Sequence, residues 1–125
     1  MAIAVVAANV RPIGNYTSVR IVSNGTLTAG AVVYHDGTGL ALADDDTSTA
    51  SANCIGVMLQ DAASGVYGDV LTQGRVTGWT GLTAGQVCYV SDQGVVAASA
   101  GTKTFAVGWA ISTTDIYVNP NATVA

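Results

Sequence analysis

Hydrophobic positions in this chain come in short bursts, separated by breaks rich in glycine, asparagine, serine and threonine. Residues 31–35, "AVVYH", and 40–43, "LALA", flank "DGTG", and Asp36-Gly37 is a strong signal for a tight hairpin. "SVRIV" at 18–22 reads as a strand that stops at Asn24-Gly25. "CIGVMLQ" at 54–60 is a strand with Gly56 inside it, which suggests a bulge or close packing. Residues 66–79 read as one or two strands broken at Gly74, and "QVCYV" and "GVVAA" form a hairpin around "SDQG". "FAVGWAI" at 105–111 and "DIYVNP" at 115–120 complete the set. Residues 2–8 form a strand or extended arm, and Pro12 and Gly14 interrupt any regular element after it. No persuasive helix is found; "LQDAASGV" holds a single turn at most. Many short strands with turn signals predict an all-β fold, a compact antiparallel β-barrel or sandwich.

The pattern repeats. "TLTAGAVVYHDGTGLALA" begins at Thr26, and "GLTAGQVCYVSDQGVVAA" begins 55 positions later at Gly81. Leu27 matches Leu82, Gly30 matches Gly85, Tyr34 matches Tyr89, and Gly39 matches Gly94. Further on, "CIGVML" echoes "AVGWAI", so that Gly56 matches Gly108. Two related β units, residues 26–59 and 81–111, are expected to pack as halves of one body, because each alone would leave an apolar sheet face wet. Leu27 and Leu82 are expected to plug the core, with Tyr34 and Tyr89 as packing anchors and Gly30 and Gly85 free to take positive φ. The expected organisation is an N-terminal arm or edge strand over 1–16, one β domain over 17–120 and a tail over 121–125.

Charge is scarce. Only 10% of the 125 residues are charged, and the net charge is −4. All eight acids are Asp, and Lys103 is the only lysine. The shortage of Glu and Lys, both good helix formers, argues further against solvent-facing helices. No basic patch exists to displace counterions from phosphates, so neither nucleic acid nor an anionic membrane is an expected partner. The apolar run at the start is too short to span a bilayer and lacks a basic n-region. With 50% hydrophobic residues, little polar surface remains to cover a monomer, which points to self-association.

Candidate chemistry is thin. His35 is the only histidine, and its neighbour Asp36 would project from the opposite face of a strand. The second copy has Val90 and Ser91 at those places, so the hairpin does not require histidine. Cys54 and Cys88 have no metal-ligand spacing and read as small buried hydrophobes. Asp44, Asp45 and Asp46 are either a solvated loop or a weak site for a hard cation, without the periodicity of a calcium loop. No phosphate-binding glycine motif occurs. Trp79, Trp109, Tyr67, Tyr89 and Tyr117 are core or interface anchors, or alternatively a sugar-binding platform. The sequons at Asn15, Asn24 and Asn121 read as incidental. No cofactor and no enzymatic activity are expected. The candidate interface residues are Ile3, Val5, Val6, Trp79, Trp109 and Tyr117.

"VLTQGRVTGWTGLTAGQVCYVSDQG" followed by "AVGWAISTTDIYVNP" resembles β-rich modules of tailed-bacteriophage virion proteins. The resemblance rests on Gly74 to Gly78, Gly81 to Ser91 and Val107 to Pro120, with Cys88 where the pattern often has Tyr. It covers about a third of the chain closely and about two thirds loosely. Such modules occur as capsid decoration, or cement, proteins and as modules of fibres. The short chain beginning at Met, without shaft or coiled coil, favours the first. The resemblance then implies a homotrimer on the outer surface of the capsid, with the major capsid protein as partner. The alternative it leaves open is a fibre or spike module that binds host-surface carbohydrate.

Overall fold

The computed structural model describes residues 3–44, 53–99 and 105–120. The fold is nearly all β, a curled antiparallel half-barrel with a small second sheet. The strands are β1 (Ala4–Val5), β2 (Arg11–Val22), β3 (Val32–His35), β4 (Leu40–Leu42), β5 (Gly56–Met58) and β6 (Tyr67–Thr77). They continue as β7 (Trp79–Thr80), β8 (Val87–Val90), β9 (Val96–Ala97), β10 (Ala106–Ala110) and β11 (Asp115–Val118). Among the described residues the helical content is one 3-10 turn at 7–9 and a kinked turn at 92–94, in which Gln93 has a non-helical φ of +49°.

The order across the large sheet is β4-β3-β5-β6-β11-β10-β8-β9, with β2 alongside β6. The order is palindromic around the β6–β11 seam because the chain runs through the same meander twice. Main-chain hydrogen bonds match position by position. Gly30 N–H donates to the Met58 carbonyl at 2.8 Å, and Gly85 N–H to the Ala110 carbonyl at 2.8 Å. Met58 N–H donates to Ala31, and Ala110 N–H to Gln86, both at 2.9 Å. The turns close alike, with φ +87° at Gly30 and +89° at Gly85, where an L side chain would be strained. Leu27 and Leu82 are buried just ahead of those turns, and Tyr34 and Tyr89 are half-buried.

The equivalence runs past the sequence repeat. Val57 pairs with Leu71 on β6, and Trp109 pairs with Tyr117 on β11, so the N-terminal half of β6 is the fourth strand of the first unit. The C-terminal half of β6 opens the second unit as β2 opens the first, since Arg75 follows Arg20 by the same 55 positions that separate the leucines. Both arginines face an aspartate at the start of a fourth strand: Arg20 with Asp69 and Arg75 with Asp115. The hairpins differ, however. Asp36 N–H bonds to Gly39, whereas Ser91 N–H bonds to Val95, one residue further, so Gly39 and Gly94 are not structural equivalents.

Two expectations about the N-terminal region need correction. β2 is one strand from Arg11 to Val22, so the boundary expected at residue 16 falls inside it. Pro12 and Gly14 do not break it, because β2 lies at the edge of the sheet and its register slips between Ile13 and Tyr16 and again between Thr17 and Ser18. An edge strand tolerates a proline, and bulges absorb the mismatch. Of the expected arm at residues 2–8, the described part, 3–8, supplies only a two-residue strand, β1, paired with β7. Gly74 likewise does not end β6 but sits at one of these slips, opposite Tyr16, with φ +136°.

That irregularity sets where the core lies. Leu71 and Val76 are five residues apart on β6, which strict alternation would place on opposite faces, yet both belong to the main core. β6 therefore turns over between the two units. The main core joins Val32, Val57 and Leu71 of the first unit to Cys88, Ala110 and Ile116 of the second. A smaller core inside the first unit holds Leu27, Val33, Leu40, Met58 and Val70. The outward face of unit one thus packs against the inward face of unit two.

Candidate interaction surfaces

The groups with the most reactive side chains are occupied by structure. The Asp36 carboxylate accepts hydrogen bonds from Thr38 N–H at 2.8 Å, Gly39 N–H at 2.9 Å and the Asn24 amide at 2.6 Å. The Gly39 and Thr38 amides, then Asn24, hold its carboxyl below the usual carboxylate range. His35 Nδ1 accepts from Gly37 N–H at 3.1 Å. Histidine and aspartate both cap their own hairpin turn and do not pair as acid and base. Cys54 and Cys88 are buried free thiols, and burial pushes them up to about 12 and about 11. Asp44 is half-buried, while Asp45, Asp46 and the sequon at Asn121 lie outside the described residues. Among the described residues, no group of three or more His, Cys, Asp or Glu is placed to hold a metal ion.

Trp79 was expected at an interface, and the structure corrects this. It is 2% exposed, inside the main core. The cause is the N-terminal strap: Val5 pairs with Trp79, and Val6 N–H donates to the Gly78 carbonyl at 2.7 Å. Val5 also lies against Gly30, filling the space a Cβ would need. Ile3 is half-buried against the same core, whereas Val5 and Val6 remain exposed. Beneath the strap is an apolar cleft of about 490 Å³ between Ile3, Leu42, Trp79 and Val96.

Trp109 and Tyr117 lie elsewhere and together. Their ring centroids are 5.0 Å apart, with planes inclined at 32°. They belong to a line of directly opposed residues across five strands: Ile13, Arg75, Tyr117, Trp109 and Val87. Opposed residues in an antiparallel sheet share a face. Ile13 is exposed, and the other four are half-buried. Arg75 is tied down by Asp115, which its Nε and Nη2 both approach at 2.7 Å. Burial alone would raise the Asp115 carboxyl, but hydrogen bonds from Thr77, Thr114 and Arg75 outweigh it and hold the group low. Sequence reasoning found the two aromatics but not Ile13, Arg75 or Val87. The available signal was the 55-residue offset, which aligns Arg75 with Arg20 and Val87 with Val32.

Comparison with protein-family models, curated proteins and solved structures finds no match to this chain.

Proposed function

We propose that the protein is a non-enzymatic structural component of a tailed-phage virion, a homotrimer that decorates and stabilises the outer capsid surface against the major capsid protein. The observation that carries the reading is where apolar surface is exposed. Five of the nine large apolar residues exposed among the described residues, Val5, Val6, Ile13, Tyr16 and Val19, lie on one stretch, from the strap through β2, and the other four, Val66, Tyr67, Val95 and Ile111, lie elsewhere. That stretch is mounted on a two-unit body with a shared core, and β2 presents one edge of the sheet. An exposed sheet edge with apolar side chains is a surface made for another chain. The residues that carry the phage resemblance, 74–78, 81–91 and 107–120, fall on the strands of the second unit and their turns. Co-sedimentation tests the proposal. The purified chain should pellet with capsid shells lacking it and raise their thermal rupture temperature. Failure to bind such shells would overturn it.

A second reading, a fibre module that binds host-surface carbohydrate, is favoured by the half-exposed Trp109–Tyr117 pair. Its test is glycan-array binding that disappears in Trp109→Ala. Trp79 takes no part in that reading, being buried.

A further inference from the structure

The chain has one Asn-Gly step, at residues 24 and 25. Asn24 is exposed just past the end of β2, and Gly25 takes a φ of +115°. An asparagine followed by glycine is the step most prone to lose its side-chain amide, because no side chain shields the next backbone nitrogen. Main-chain bonds fix this step. Ser23 N–H donates to the Val66 carbonyl at 2.9 Å, Asn24 N–H to Leu40 at 2.8 Å, and Gly25 N–H to the Ser64 hydroxyl at 3.3 Å. The side chain is fixed as well: its Nδ2 donates to Asp36 Oδ2 at 2.6 Å, across to the β3–β4 hairpin.

The two oxygens of Asp36 take different partners. Oδ1 accepts the Thr38 and Gly39 N–H groups of its own turn, at 2.8 and 2.9 Å, whereas Oδ2 takes the Asn24 amide. Oδ1 therefore shapes the hairpin, and Oδ2 ties that hairpin to the end of β2. The second unit has neither partner: 55 positions on stand Trp79 and Ser91. The tie is thus an addition to the common plan. It also depends on Asn24 carrying an amide, since facing a carboxylate only the nitrogen end can bond. An aspartate there would set oxygen against oxygen, and carboxylates at that separation repel. Arg20 and Arg75 are engaged with Asp69 and Asp115, so neither neutralises such a pair.

We infer that Asn24 is a deamidation site gated by the fold: the tie to Asp36 keeps its side chain from cyclising, and conversion to an acid breaks the tie irreversibly. In the reaction the Gly25 nitrogen attacks Cγ of Asn24. The Cγ–Nδ2 bond breaks, and ammonia leaves with the proton that Gly25 N–H gave up. Water then opens the five-membered imide at either carbonyl, returning a proton to nitrogen and leaving aspartate or isoaspartate. One water is consumed, one ammonia is released, and nothing is oxidised or reduced. Both reacting groups are occupied in the folded chain, the nitrogen by Ser64 and the amide by Asp36. The reaction therefore waits on local opening of this corner. Either product carries a carboxylate that cannot re-form the bond to ionised Asp36. The result is a one-way loosening of the contact between β2 and the β3–β4 hairpin, independent of what the protein attaches to.

Peptide mapping by mass spectrometry on the full chain, held at about pH 8, tests it. Asn24 in the folded wild type should convert at least about tenfold more slowly than in guanidinium. Asp36→Ser puts the second unit's own residue in the turn and removes the tie. It should keep a cooperative thermal transition and speed conversion at least about threefold. Arg75→Ala, which weakens the second unit instead, should leave the rate near that of the wild type. A second measurement reads the product. Asn24→Asp should lower the thermal midpoint by about 4 °C, and adding Asp36→Asn should recover most of that loss. In the double variant the amide sits at position 36, where its oxygen still serves the turn and its nitrogen donates to the carboxylate at position 24. If Asp36→Ser fails to fold, the double variant decides in its place. Conversion in the folded wild type as fast as in guanidinium, or absent in both, would overturn the inference. So would a rate unchanged by Asp36→Ser or raised equally by Arg75→Ala, or a double variant no more stable than Asn24→Asp.

Discussion

The carbonyl of Tyr117 occupies the place where a Cβ on Gly108 would stand. Leu71 does the same to Gly56 in the other unit. In both, the last strand of a meander closes directly over a glycine of the strand before it. Neither obstacle is the flexible end of a side chain, so an added methyl must push strands apart. Gly56→Ala and Gly108→Ala should each cost about 3 kcal/mol in urea denaturation. Gly85→Ala should cost only about 1 kcal/mol, since its φ of +89° is strained for alanine but no neighbour lies within 4 Å. Equal losses at all three positions would contradict the shared plan.

The two arginine–aspartate pairs predict an asymmetry. Asp115 is 6% exposed at its side chain, whereas Arg20 is 61% exposed in its pair with Asp69. Arg75→Ala leaves a nearly buried carboxylate with fewer donors and should cost about 2 kcal/mol. Arg20→Ala should cost less than about 0.5 kcal/mol. Denaturant midpoints for the two variants, measured at neutral pH and moderate salt, distinguish them.

Acid should act through the same group. The Asp115 carboxyl is held below its ordinary value of 3.8 in the folded chain, so the folded state binds its proton less readily than the unfolded state does. Its contribution is therefore complete above about pH 5 and is lost as the pH falls through 3.8 toward the folded value. Unfolding free energy measured from pH 6 to pH 2 should drop in that acid range. Asp115→Asn should lower stability at neutral pH and flatten that part of the profile.

The thiols should be silent. With burial raising Cys54 to about 12 and Cys88 to about 11, the native chain holds almost no thiolate at pH 8. Iodoacetamide should label neither cysteine in the folded protein within an hour and both in guanidinium. Rapid native labelling at either position would mean that the core opens locally.

The repeat made much of this architecture legible in advance. Leu27 and Leu82, and the turn glycines Gly30 and Gly85, are local features whose spacing states their role. The hairpin at Asp36-Gly37 is equally local, and it forms as its turn residues require. Features that depend on distant strands were hidden. Nothing near Trp79 in the chain announces that residues 3–6 cross over it, so its burial could not be read from its neighbours. Pro12 and Gly14 argued against a strand, because sequence alone does not show that β2 lies at an edge where bulges are tolerated. The partnership of Arg75 with Asp115 spans 40 positions, and only the offset from Arg20 hinted at it. The row on the second unit was half visible: its aromatics stood out, but the strand register that joins them to Ile13 and Val87 comes only with the fold.

The central claim is that the exposed strap and β2 edge serve to seat this protein on a capsid. Electron cryomicroscopy of particles assembled with and without the chain tests it most directly. The account predicts ordered three-fold density on the outer head shell, present only with the chain and touching the shell through residues 3–22. Density confined to a fibre tip, or identical shells in the two preparations, would contradict it.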